Sequence, residues 1–168
     1  MSSSLGHLAR RFLDVLNAEG LSTTETAAVD SWLSPRMSRV FFEQMDADQR
    51  HGYQAALRVV EEGHDETELV VAALMHDIGK RHGRLGVAER SVATLLILLR
   101  LPLSERMTEY RDHGQIGAHE LAELDAPLIA IEFARHHQGD RPETIEPHVW
   151  DVLLAADQPP KARSRSVV

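Results

Sequence analysis

The side chains of this chain with the greatest chemical capacity are imidazoles and carboxylates. There are ten histidines and no cysteine, so thiolate metal sites, cysteine nucleophiles and disulfides are all excluded. Neutral imidazoles and carboxylates are the donors that suit Mn, Fe, Co, Ni and, with more oxygen ligands, Mg. Two of them are adjacent in LVVAALMHDIGK, residues 69–80, as His76 and Asp77. A His-Asp dipeptide alone carries little information. Ten histidines and eleven aspartates in 168 positions generate about 0.65 such pairs by chance. The other pair, His64-Asp65, follows Gly63 among polar residues, and there Asp65 reads as a helix cap. His76-Asp77 instead ends a run of seven apolar residues, Leu69–Met75, which predicts a helix apolar nearly all round and hence buried. Polar side chains in that position cost free energy unless something pairs with them.

Partners for His76 and Asp77 must come from other elements, and the periodicity of those elements is helical almost throughout. Leu5, Leu8, Ala9, Phe12, Val15 and Leu16 recur at helical spacing, and Gly20 closes that segment. Ser22 and Glu25 form a capping-box pattern for a helix through Leu33. A third helix is expected over Met37–Met45, and a fourth, capped by Asp46 or Asp48, to Gly63. The apolar helix then starts near Asp65 and ends near Gly79. A helix to about Leu101 and a short one opened by Ser104 follow. Asp112 is a candidate cap for His113–Leu124, and Pro127 starts the helix that carries His136 and His137. The last helix runs from Pro147 to Asp157, before Pro159 and Pro160.

Helix faces sort the remaining candidates. His113 heads a stripe of Ile116, Gly117, Leu121 and Leu124, and Gly117 leaves room beside it. His119 points the opposite way, to solvent. His136 shares a face with Ile129 and Phe133, and His137 lies about 100° round from it, at the edge of that face. Asp157 continues the stripe of Val149, Val152, Leu153 and Ala156. His51 borders the stripe of Ala55, Ala56 and Val59. Each of these alone reads as readily as a core residue satisfied by hydrogen bonds. Six inward-facing ligand types on five helices read together as a metal site, with Asp77 central enough to bridge two ions.

The order His51, His76-Asp77, His113, His136-His137, Asp157 resembles the HD superfamily of metal-dependent phosphohydrolases, and HDIGK at 76–80 matches its central motif. The fuller set, with His113 and the His136-His137 pair, is most similar to the two-metal HD-GYP subgroup. The resemblance covers residues 48–158. It implies an all-α, compact HD-domain helical bundle and two divalent metal ions. By that resemblance His51, His76, Asp77 and Asp157 hold one ion, and Asp77 bridges to a second held by His113 and His136. Lys80 contacts a substrate phosphate, and His137 touches substrate or a further metal. The Gly-Tyr-Pro loop of the subgroup is missing, since residues 138–145 read QGDRPETI. Ala47 stands one turn before His51, where three-metal members place a glutamate, and Asp48 is offset by one.

The expected organisation is an N-terminal helical extension packed on the core over residues 1–45, an HD domain over 46–158 and a disordered basic tail over 159–168. The formal net charge of −8 argues against a nucleic-acid partner, whose phosphates call for many Lys and Arg contacts. No apolar run approaches the ~20 residues of a membrane span, so the chain reads as cytoplasmic, with a small phosphorylated molecule as its partner. Arg84 and Arg141 are candidate phosphate contacts in the loops. Two other readings share the same ligands: a di-iron oxygenase of the same fold, and a helical nucleotide-binding module without turnover.

Overall fold

The computed structural model describes residues 19–158, so the expected helix at 5–16 and the basic tail lie outside the described residues. What is described is all helical, with no strand among those residues. The order is α1 (Thr23–Trp32), α2 (Pro35–Phe42), α3 (Asp46–Glu61), α4 (Thr67–Met75), α5 (Lys80–Gly83), α6 (Val87–Leu98), α7 (Glu105–Arg111), α8 (His113–Glu123), α9 (Leu128–His136) and α10 (Pro147–Asp157). No described helix is long and apolar enough to cross a membrane.

Local chemistry sets several of these boundaries. Ser22 accepts from the Glu25 backbone N–H while the Glu25 side chain accepts from Ser22 N–H, the reciprocal box the sequence predicts. Ser104 accepts from Met107 N–H at the start of α7. Three expected caps are engaged elsewhere or displaced. Glu66, not Asp65, is the N-cap residue of α4. Asp48 lies inside α3, where both its oxygens bind Arg90. Asp112 makes no cap bond to α8, because its carboxylate takes the neighbouring Arg111 guanidinium. A charged fork is a stronger partner for a carboxylate than an exposed backbone N–H.

Helix α4 is the centre of the bundle. All residues from Leu69 to Met75 are buried, and α3, α9 and α10 pack around it. Val29, Leu33, Met37 and Phe41 from α1 and α2 share one apolar cluster with α4. Two close approaches then fix the end of α4 and the turn beyond it. A methyl group on Gly79 would collide with the His113 carbonyl and stand 2.8 Å from Gly117 N, so the turn after Asp77 lies directly on the backbone of α8. One on Gly52 would stand 2.5 Å from the Leu74 carbonyl, which brings His51 of α3 against the end of α4. These contacts join elements far apart in sequence at the point where the histidines sit.

Candidate metal centre

His76 and Asp77 lie in the turn that ends α4 and are almost fully enclosed. His51 enters from α3 and Asp157 from the end of α10. His51 Nε2 is 2.8 Å from Asp157 Oδ1, and His76 Nε2 is 3.1 Å from the same oxygen. On the other side, Asp77 Oδ1 lies 3.2 Å from His113 Nε2 and 3.4 Å from His137 Nε2. Asp77 Oδ2 faces back, 3.4 Å from His76 Nε2 and 3.7 Å from His51 Nε2. Asp77 therefore stands between two sets of imidazoles with one oxygen toward each. Two trios are close enough to share an ion: His51, His76 and Asp157, and His76, Asp77 and His137.

The backbone sets the direction of the rings. His76 Nδ1 lies 2.8 Å from the Ala73 carbonyl, His113 Nδ1 2.6 Å from that of Tyr110, and His137 Nδ1 2.8 Å from that of Ala134. A carbonyl only accepts, so each Nδ1 is the protonated nitrogen and donates to it. Whenever these rings are neutral, their Nε2 lone pairs point inward at carboxylate oxygens. Lone pairs facing lone pairs repel, and a cation between them reverses the sign. An outer hydrogen bond that fixes the tautomer is also what orients metal-ligating histidines. His76 Nε2 is the most telling atom, being buried with no hydrogen-bond partner despite two nearby carboxylates. The donor set and this orphaned nitrogen fit a divalent cation.

Charge is balanced within the cluster. Burial opposes a charged His76, yet Asp77 and then Asp157 outweigh it and lift its pKa to about 10. Asp77 is held well below the carboxylate range, since Lys80 and then His76 overcome the penalty of burial. Burial raises the Asp157 carboxyl, but the His51 ring in hydrogen-bond contact and the His76 ring beside it outweigh that and hold it far down. Burial lowers His113 despite Asp77, which leaves it neutral and ready to donate its lone pair. Lys80 Nζ sits on Asp77 Oδ2. The most open members are His51, 29% exposed, and Asp157, 21% exposed, so the cluster opens to solvent at that edge.

The structure thus gathers His51, His76, Asp77, His113, Asp157 and Lys80. It does not gather His136, which the sequence pattern places inward. His136 Nε2 is 3.9 Å from Glu132 on its own helix, with the side chain 36% exposed. His137 takes the inner position. The buried face of α9 is Ala130, Phe133 and Ala134, and one turn further on that face is His137. The close approach of α8 to α9 is at Gly114, where a methyl group would stand 2.8 Å from the Ala134 carbonyl, so the buried alanines mark the inner face of α9, while the larger Ile129 is only partly buried. Arg141 donates to the carbonyls of Pro142 and Ile145 in its own loop. Arg84 borders a surface recess with Glu43, Arg81 and His82. His119 is 80% exposed, as expected.

Three supporting groups escape a reading of the sequence. Gln138 Nε2 lies 3.2 Å from His113 Nε2 and covers that lone pair. Arg58 Nη1 donates to the carbonyls of Ala156, at 2.5 Å, and Gln158, at 3.0 Å, tying the end of α10 beside Asp157 to α3. Arg90 binds Asp48 through both Nη atoms at 2.6 Å and lies over the Tyr110 ring, 5.7 Å from its centroid. Only Gln138 had a sequence signal, its position directly after His136-His137.

A sequence model described as HD domain matches residues 50–167. No curated protein and no solved structure matches the chain.

Proposed function

The chain belongs to the HD-domain family, a family of metal-dependent phosphohydrolases, and on that premise we propose that it hydrolyses a phosphoester bond in a nucleotide or another small phosphate ester. The observation that carries this reading is the split of Asp77. One oxygen faces His76 and His51, and the other faces His113 and His137. That is the arrangement needed for one carboxylate to serve two ions.

In this reading His51, His76 and Asp157 would hold one divalent ion, His113 and His137 would hold a second, and Asp77 would be a ligand available to both. A bound pair of that kind supplies an acidified water and a positive clamp for phosphoryl oxygens. The protein supplies the rest. Carbonyls of Ala73, Tyr110 and Ala134 keep the imidazoles aimed at fixed points. Lys80, in contact with Asp77, is a cation within reach of a phosphate beside that carboxylate, and it offsets charge that develops on the phosphoryl group. The enclosing apolar walls strengthen these interactions. No nucleophilic side chain is required. The ester enters past His51 and Asp157, where the cluster is open.

The test is metal analysis of the purified protein, followed by a panel of phosphate mono- and diesters with Mn, Fe, Co, Ni and Mg. The expected result is close to two ions per chain and release of phosphate or a nucleoside product. Less than half an equivalent of metal, with no hydrolysis under any of the ions, would sink the proposal. Iron-dependent oxygen consumption without phosphate release would point to oxygenase chemistry on the same ligands.

A further inference from the structure

Two imidazole lone pairs of the cluster have different surroundings. His76 Nε2 is buried without a hydrogen-bond partner. His113 is as fully enclosed, but its Nε2 has a partner, the Gln138 side-chain nitrogen at 3.2 Å. The direction of that bond follows from the chemistry of the groups. His113 Nδ1 donates to the Tyr110 carbonyl, so the lone pair of the neutral ring is on Nε2. Only the NH2 end of an amide donates, so Gln138 gives a hydrogen to that lone pair. A ring nitrogen has a single lone pair in the ring plane. It accepts that hydrogen or binds a cation, never both.

The consequence falls on the second ion. The two trios close enough to share an ion, His51 with His76 and Asp157, and His76 with Asp77 and His137, both use His76. Its Nδ1 donates to the Ala73 carbonyl, so Nε2 is its single metal donor and serves one ion at a time. A second ion beside Asp77 therefore draws on His113 and His137, whose Nε2 atoms lie 3.2 and 3.4 Å from Asp77 Oδ1. His113 is the ligand that Gln138 covers. Without it, Asp77 and His137 are two protein donors, short of the three that are usual at a catalytic metal. Gln138 is placed to yield. It is an exposed residue directly after His137, the C-cap of α9. The turn there is held by the Gly139 N–H on the His136 carbonyl at 2.7 Å, so rotation of the Gln138 side chain alone uncovers the nitrogen.

We propose that Gln138 gates the second ion position. Its amide and a second divalent cation compete for His113 Nε2, so the centre fills in order: first at His51, His76 and Asp157, then, with Gln138 displaced, at Asp77, His113 and His137. The inference rests on the metal-centre reading above and adds that the second ion is held more weakly than the first. The test titrates chelator-treated full-length protein with Zn, a diamagnetic cation suited to imidazole and carboxylate donors, followed by calorimetry and by NMR of the Gln138 side-chain amide. The wild-type protein should take two ions in separate steps, and the amide signals should move in the second step only. Gln138→Ala should tighten the second step about fivefold or more, the worth of one neutral hydrogen bond, and leave the first within about twofold. An unchanged Tm checks that this exposed substitution leaves the fold intact. Equal affinities that the variant does not alter, amide signals that move with the first ion, or a weaker second ion in Gln138→Ala would each overturn the gate, the last making Gln138 a support of the ion and not its rival. A protein that binds no ion at all would fail the phosphohydrolase reading itself, whereas two ions with Gln138 indifferent to both would fail this inference alone.

Discussion

His137 Nε2 lies 3.4 Å from Asp77 Oδ1, while its neighbour His136 turns toward Glu132. Adjacent positions on a helix differ by about 100°, so only one of the two rings can face the cluster. His137→Ala should remove one of two bound ions and lower hydrolysis by more than the ~10–100-fold that loss of an outer partner costs. His136→Ala should keep both ions and change activity by less than threefold or so. Metal content per chain and initial rates on the two variants check this. The opposite ranking would return His136 to the site.

The contact between Gly79 and α8 carries the second expectation. A methyl at residue 79 meets backbone, not a flexible side chain, at the His113 carbonyl and Gly117 N. Neither backbone can yield without moving Asp77 away from His113. Overpacking of this kind costs ~1–3 kcal/mol or more. Gly79→Ala should therefore lower Tm by several degrees and weaken metal binding in the same protein. A solvent-facing control, Gly63→Ala, has nothing within 4 Å but a backbone φ of +90°, so it should lose stability through strain while metal affinity is retained.

These relationships differ in how far the chain alone reveals them. His76, Asp77, His113 and Asp157 sit beside large aliphatic residues at regular spacing, and hydrophobic periodicity exposes such positions. The inner face of α9 is marked by the buried Ala130 and Ala134, and periodicity weighs small residues lightly. The Asp48–Arg90 pair joins residues 42 apart, and no local pattern links them. Asp65 and Asp112 look like caps in isolation, but capping is worth only ~1 kcal/mol, so the start of α4 falls one residue later, at Glu66, and the Asp112 carboxylate takes the adjacent Arg111. Helix identity was thus legible from local chemistry, whereas a pairing such as Asp48 with Arg90 depended on a contact distant in sequence.

Protons and metal ions should compete at His76. Its pKa in the metal-free protein is lifted to about 10 by Asp77 and Asp157 against the opposing effect of burial, from an ordinary value near 6.5. A raised folded-state value means stability that is fully present below about pH 6.5 and lost as pH rises through about 10. Chelator-treated protein should accordingly show a falling Tm across that window, and His76→Gln should flatten the fall. Saturating metal should also flatten it, because the ion takes the proton's place. Calorimetry in two buffers of different ionisation enthalpy should detect proton release on metal binding at pH 8. A Tm that is level from pH 6.5 to 10 without metal would contradict the assignment.

Arg90 is the last residue whose loss has a definite expected signature. Asp48 is only 5% exposed, and its two oxygens are both held by Arg90 at 2.6 Å. Removing the guanidinium leaves a buried carboxylate without its cation, a change that costs ~3–5 kcal/mol. Arg90→Met should lower the urea midpoint by a corresponding amount with the slope unchanged. Adding Asp48→Asn should recover a large part, because the stranded charge is then gone. The guanidinium also lies over the Tyr110 ring, and the Tyr110 carbonyl accepts from His113 Nδ1. The two variants should therefore separate the effects. Stability returns in the double variant, but affinity for the ion next to His113 stays weakened, since Tyr110 has lost the group packed on its ring. Equal recovery of both properties would mean that Arg90 serves only to neutralise Asp48.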